Sequence, residues 1–214
     1  MPLQNRADPF GALHAIAARG LFTGNRGVIH DPETKTLLAR RWTTRAWIVC
    51  ECTFKDRRRA VMGRNGRSGG PGWTELFFLD EVTALAAGHR PCFLCRRERA
   101  LSFARFFAQG AGRGRLSAPE IDSRLHRQRR ASGIPSFALR MAQVDDLPDG
   151  AMVEVDGSAF AVHDGRLLPW DFGGYGAARD PRKVAGPFLL ITPPSTVSAL
   201  RCGYAPIWHA TARP

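Results

Sequence analysis

Lysine is nearly missing from this chain: of 31 basic residues in 214, only Lys35, Lys55 and Lys183 are not arginine. A surface charged in this way carries planar guanidinium forks, which match phosphate oxygens, rather than flexible ammonium groups. Long apolar runs are missing too. No stretch of eighteen apolar residues occurs, so no segment reads as a membrane-spanning helix. The opening MPLQNRADPFG has no apolar signal-peptide core and is interrupted by Asp8 and Pro9. Five cysteines, an odd number without a secretion signal, argue against a disulfide framework; the expected compartment is reducing and cytoplasmic. Walker, dinucleotide-binding and His-Glu-x-x-His patterns are all absent.

What is present is an uneven distribution of charge. The formal net charge is +12. Residues 37–140 hold 21 basic and eight acidic side chains, whereas residues 141–214 hold six basic and eight acidic ones. Such asymmetry marks a polyanion-facing half and a neutral half. A soluble basic surface without a partner is the plainer reading of the same numbers.

Local pattern divides the chain in the same way. Residues 1–36 are rich in glycine and Asp-Pro breaks, with one short helix expected around Leu13–Ala18 and a glycine turn with a short strand in 23–31. TTRAWIVCECTFK (43–55) and TELFFLD (74–80) read as strands. Trp47, Val49, Glu51 and Thr53 share one face of the first; Ile48, Cys50, Cys52 and Phe54 share the other. Asp80 is placed to cap a short helix that Gly88 ends, and a stronger helix runs from near Cys95 to Gly110. SAPE (117–120) is a capping-box pattern that predicts a helix over 118–131. Beyond Pro135 the pattern turns to short strands at 136–144, 151–155, 158–162, 166–170 and 187–193, with hairpin signals at Asp156-Gly157 and Asp164-Gly165. Ser195 marks a short final helix. The expected fold class is α+β, with a basic half over 1–135 and a small, mostly antiparallel β-rich half over 136–214.

Four cysteines fall into two close pairs, Cys50 with Cys52 and Cys92 with Cys95. A Cys-x-x-Cys turn directs two sulfurs at one ion, and a strand can supply two more from one face. The fourth position is open between Cys52, His89 and the more distant His30, His126 and His209. A redox pair would sit in a thioredoxin-like strand order that the flanking pattern lacks. Buried, unreactive thiols are the remaining alternative, and the expected one for Cys202.

TELFFLDEVTALAAGHRPCFLCRR, with TTRAWIVC before it, resembles the zinc-binding domain of the Ada family of DNA-repair proteins over residues 43–99. LQNRADPFG and GNRGVIHD extend a likeness over most of the chain to a bacterial protein family to which no activity attaches. The first resemblance implies zinc on Cys50, Cys92, Cys95 and one further ligand, with DNA as partner. It also implies that Cys50 is a metal-activated thiolate that accepts a methyl group from a phosphotriester. The family's second cysteine falls at Phe54 here, and DRRRAVMGRNGRSGGPGW lengthens the segment between the ligand pairs.

The reading that follows is a zinc-stabilised protein that binds DNA or RNA through Arg57, Arg58, Arg59, Arg90, Arg96, Arg97 and Arg99. Two alternatives stand beside it. One is a nucleic-acid-processing enzyme, using His126 or His30 to activate water as in a nuclease, or the thiolate as a methyl acceptor. The other is a structural or protein-binding module. Trp170, Phe172 and Tyr175, in a glycine-rich loop, either stack on an unpaired base or close a small β-core.

Overall fold

Asp8 reverses the chain early. Its carboxylate accepts from the Ala12 amide at 2.8 Å, and Gly11, at φ +86°, completes the turn. Strands β1 (Gln4–Ala7) and β2 (Leu13–Ala15) therefore pair as a hairpin, with Ala7 opposite Leu13, where a helix was expected. Single-strand periodicity over Leu13–Ala18 could not register a pairing made across a turn. The computed structural model describes residues 1–55 and 59–213, and Arg57 and Arg58 lie outside the described residues.

The first sheet adds β3 (Phe22–Asn25), β4 (Ile48–Glu51), β5 (Leu76–Phe78) and β6 (Arg90–Pro91), in the order β2-β1-β5-β3-β4-β6. Helix α1 (Glu81–Ala86) follows β5 and starts as the sequence predicts, with Asp80 accepting from the Thr83 amide at 2.9 Å. Helix α2 (Arg97–Gly110) follows β6. Helix α3 (Ala118–His126) starts at the expected box, the Ser117 amide donating to Glu120 at 2.8 Å. It ends five residues earlier than its pattern suggests, before a short 3-10 turn at Arg130–Ser132. Arg129 turns inward instead, its guanidinium 4.1 Å over the Trp47 ring.

The second sheet is antiparallel throughout, in the order β11-β10-β9-β8-β12-β7. Its strands are β7 (Phe137–Leu139), β8 (Met152–Val155), β9 (Ser158–His163), β10 (Arg166–Asp171), β11 (Gly174–Tyr175) and β12 (Phe188–Leu190). Both Asp-Gly pairs sit at the tips of hairpins with positive φ at each residue, as such two-residue turns require. Helix α4 (Met141–Asp145) takes over the end of the strand expected at 136–144, and α5 (Pro194–Arg201) is the final helix. The fold is α+β, as its pattern indicates.

Three apolar clusters hold it together. Helices α2, α3 and α5 cover one face of the second sheet through Phe103, Phe107, Ile121, Leu125 and Val197. The sheets therefore divide near residue 135, but the hydrophobic core does not. Helix α1 lies between the sheets, Ala84 facing Leu76 and Phe78 and Val82 and Ala86 facing Met152, Ala161 and Leu168. All six of its residues are buried, so its two polar side chains, Glu81 and Thr83, must find partners inside the fold.

Glu81, at the head of that helix, is buried completely. Its carboxylate meets Arg96 at 3.1 Å, Arg99 at 2.9 Å and the Ile207 amide at 2.9 Å, and accepts from the Tyr204 hydroxyl. Replacing it with alanine strands a buried guanidinium, at a cost of about 3–5 kcal/mol. Urea denaturation of Glu81→Ala is expected to show that loss as a lower midpoint. Arg64→Ala, which breaks an exposed pair with Glu33, is expected to cost less than about 1 kcal/mol.

Candidate metal centre

Strands β4 and β6 run parallel and in contact, Val49 opposite Pro91, with the Cys92 amide donating to the Val49 carbonyl at 2.9 Å. That register brings Cys50 beside Cys92, although the two are 42 positions apart. A turn then closes on itself, Arg96 N–H to Cys92 carbonyl at 3.0 Å, and returns Cys95 to the same spot. The sulfurs of Cys50, Cys92 and Cys95 all lie within 4.8 Å of one another. Tetrahedral coordination with metal–sulfur bonds of about 2.3 Å needs sulfurs about 3.8 Å apart, so a small contraction suffices. These three cysteines can hold a metal ion.

Their protons already crowd each other. Hydrogen bonds from Cys50 and Cys95 drive the Cys92 thiol well down, and the same contact with Cys92, then Cys95 and burial, drives Cys50 strongly up. Hydrogen bonding within the cluster thus favours a thiolate at Cys92, and thiolate is the metal-binding form.

Cys52 does not join them. Strand β4 ends at Glu51, and the exposed Cys52 turns its sulfur to the Leu21 carbonyl at 3.5 Å. Residues two apart on a strand stand about 6.6 Å apart, too far for one ion unless the strand bends. His89 is excluded by the sheet itself. It is fully buried against Trp47 and Phe78, at ring separations of 5.1 and 4.6 Å, and accepts from Arg26 at 3.3 Å. Burial, then Arg26 and Arg129, hold it far below the ordinary histidine range and so neutral. Among the described residues, no histidine joins the three sulfurs.

The position left open faces a cavity of about 370 Å³. Ile48, Phe54, Trp73, Phe77 and Leu94 give it apolar walls around the sulfurs, and Arg59 and Glu75 also line it. Glu75 accepts from Arg59 Nε at 2.8 Å and from the Met62 amide at 2.8 Å, while Arg59 lies 4.3 Å over Trp73. Trp73, Glu75 and Phe77 come from a part of the chain that nothing in local spacing ties to the cysteines.

The arginines expected on phosphate are mostly internal. Arg90 makes two 2.8 Å bonds to the Asp122 carboxylate. Arg96 is buried between Glu51 and Glu81, Arg99 reaches Glu81, and Arg59 is held by Glu75. Each partner comes from a distant element, so a run of cations read along the chain could not show its neutralisation. Of the described members of the set, Arg97 alone is exposed.

Among the described residues, no nuclease-like centre assembles around His126 or His30. His126 Nδ1 faces Ser132 Oγ at 3.2 Å, while Asp122 and Glu120 are occupied by Arg90 and Ser117. His30 is buried against Thr74 at 2.6 Å, and Asp31 caps a turn through the Glu33 amide. The aromatic loop closes the core: Trp170 donates to Thr83 at 2.9 Å and Tyr175 to Asp80 at 2.9 Å. Comparison with protein-family models, with curated proteins and with solved structures gave no match.

If the three-sulfur geometry defines the site, Cys52→Ser retains full metal uptake. Cys50→Ser loses stoichiometric binding, as read by competition with a chromogenic zinc chelator. Equal loss in both variants would assign Cys52 to the site.

Proposed function

We propose that this is a zinc-stabilised nucleic-acid-binding protein. The convergence of Cys50, Cys92 and Cys95 carries the metal half of that reading. Three thiolates favour a borderline-soft, tetrahedral ion, and zinc is the member of that class without redox chemistry in a reducing cytoplasm. When bound, zinc would hold the three sulfurs deprotonated and tie β4 to the turn after β6.

Charge supports the other half, by a route that differs from a count along the sequence. Between residues 37 and 140, Glu51, Glu75, Glu81 and Asp122 are engaged by arginines, and Asp80 and Glu120 cap helices. The basic residues left on the surface therefore face few counter-charges. A polyanion gains from them by releasing its condensed counterions.

A second reading rests on the open side of the cluster. Cys50 lines an apolar-walled cavity, as the methyl acceptor that the Ada resemblance implies would require. The Cys50 sulfur would attack the methyl carbon of a neutral phosphotriester; the S–C bond forms as C–O breaks, and the phosphodiester leaves with the electron pair. Ile48 and Phe54 would exclude water from the approach.

Elemental analysis of tag-free protein is expected to give one zinc per chain, lost in Cys92→Ser; metal-free wild type overturns the proposal. Affinity for nucleic acid is expected to fall steeply with salt, with a log–log slope on the order of −4 or steeper. In cobalt-substituted protein, imidazole is expected to shift the visible spectrum by taking the open position; an unchanged spectrum means a fourth protein ligand. A methyl adduct on the Cys50 peptide after exposure to methylated oligonucleotide would select the second reading.

A further inference from the structure

Away from the cysteines, two basic segments meet around an exposed aromatic ring. Residues 34–50 contain no acidic side chain, and neither do residues 123–144. The fold lays the first of these against the end of α3: the Arg45 carbonyl accepts from Arg129 at 3.1 Å, and Trp42 meets His126 edge-on with centroids 4.7 Å apart. Arg40, Arg41, Arg45 and Arg127 are exposed beside them, and among the described residues none makes an ion pair.

Trp42 is the informative member. It is 38% exposed in a chain whose Trp47 is fully buried, so it is not needed to fill the core. Its edge contact with His126 fixes the indole, which lowers the ordering cost of any partner stacked upon it. Cations in the last turn of α3 complement the helix dipole, an ordinary structural role for Arg124 and His126. Arg40, Arg41 and Arg45 belong to no helix and have no such role. The local field is positive enough to act on His126, which partial burial, then Arg129, Arg45 and Arg127, hold below the usual histidine range.

We propose that this surface, Trp42 with Arg40, Arg41, Arg45, His126 and Arg127, is a docking site for single-stranded nucleic acid. An aromatic face beside guanidinium groups stacks an unpaired base while the cations follow its phosphates. A duplex keeps its bases stacked internally and offers Trp42 nothing beyond phosphate. The inference rests on the nucleic-acid reading above, but it moves the interface from the arginines of 57–59 and 90–99 to residues 40–45 and 126–127.

The test is fluorescence anisotropy of the zinc-loaded protein with a labelled single-stranded DNA, its RNA counterpart and the matching duplex, over a series of salt concentrations. Arg45→Glu/Arg127→Glu is expected to lower single-strand affinity more than tenfold and to reduce the salt slope by at least about 1.4, the value for two phosphate contacts. Arg166→Glu/Lys183→Glu changes the net charge equally at exposed sites on the second half and is expected to cost under threefold. Trp42→Ala is expected to cost about fivefold or more on single strands and to leave duplex binding unchanged. All of these side chains are exposed, and unchanged thermal unfolding confirms that each variant folds. Equal weakening by the two charge reversals, tighter binding of duplex than of either single strand, or full affinity in Trp42→Ala overturns the site while leaving nucleic-acid binding in place. A wild type with no salt-dependent binding overturns the underlying reading as well.

Discussion

Arg96 follows Cys95 of the three-cysteine cluster, and its guanidinium is buried between Glu51 and Glu81. A charge in that position is tolerable only because both carboxylates reach it, one from the strand that bears Cys50 and one from the helix between the sheets. The same Glu81 also holds Arg99 on α2 and the chain near Tyr204 and Ile207. The turn that aims Cys92 and Cys95, the central helix and the C-terminal segment are thus fastened at one carboxylate. Remove it and each of the three loses its anchor.

A comparable economy governs the other face of the first sheet. Trp47 lies between the guanidinium groups of Arg26 and Arg129, at 4.0 and 4.1 Å, and both arginines are pushed down to about 9. Burial is the chief cause for each, Arg129 adds to it at Arg26, and Asp122 opposes it at Arg129. The indole supplies a polarisable surface where a second carboxylate is missing. This sandwich, with neutral His89 beside it, closes the side of β4 that faces away from the cysteines.

Features decided within a few residues were legible in the sequence: the Asp80 cap, the Ser117 box, both Asp-Gly hairpins and the α+β class. Of the site, Cys50, Cys92 and Cys95 could be grouped from the two pairs and the Ada resemblance. What remained hidden depends on elements far apart in the chain. Cys52 fails because β4 stops one residue earlier, and the Leu13 segment forms a strand because Asp8 folds it back on β1. Most instructive are the arginines. RPCFLCRRER reads as a cationic run, yet Arg90, Arg96 and Arg99 each find a carboxylate supplied by another element. Density of charge along a chain measures surface potential only after the internal pairs have been subtracted.

The ion pair between Arg96 and Glu81 also makes the cysteine turn and the C-terminal segment parts of one mechanical linkage. Cys95 and Arg96 share a peptide unit, and Glu81, which meets Arg96, also holds Tyr204 and the Ile207 amide, well over a hundred positions along the chain. A metal on the three sulfurs would therefore stiffen the same linkage that ties down a segment it never touches.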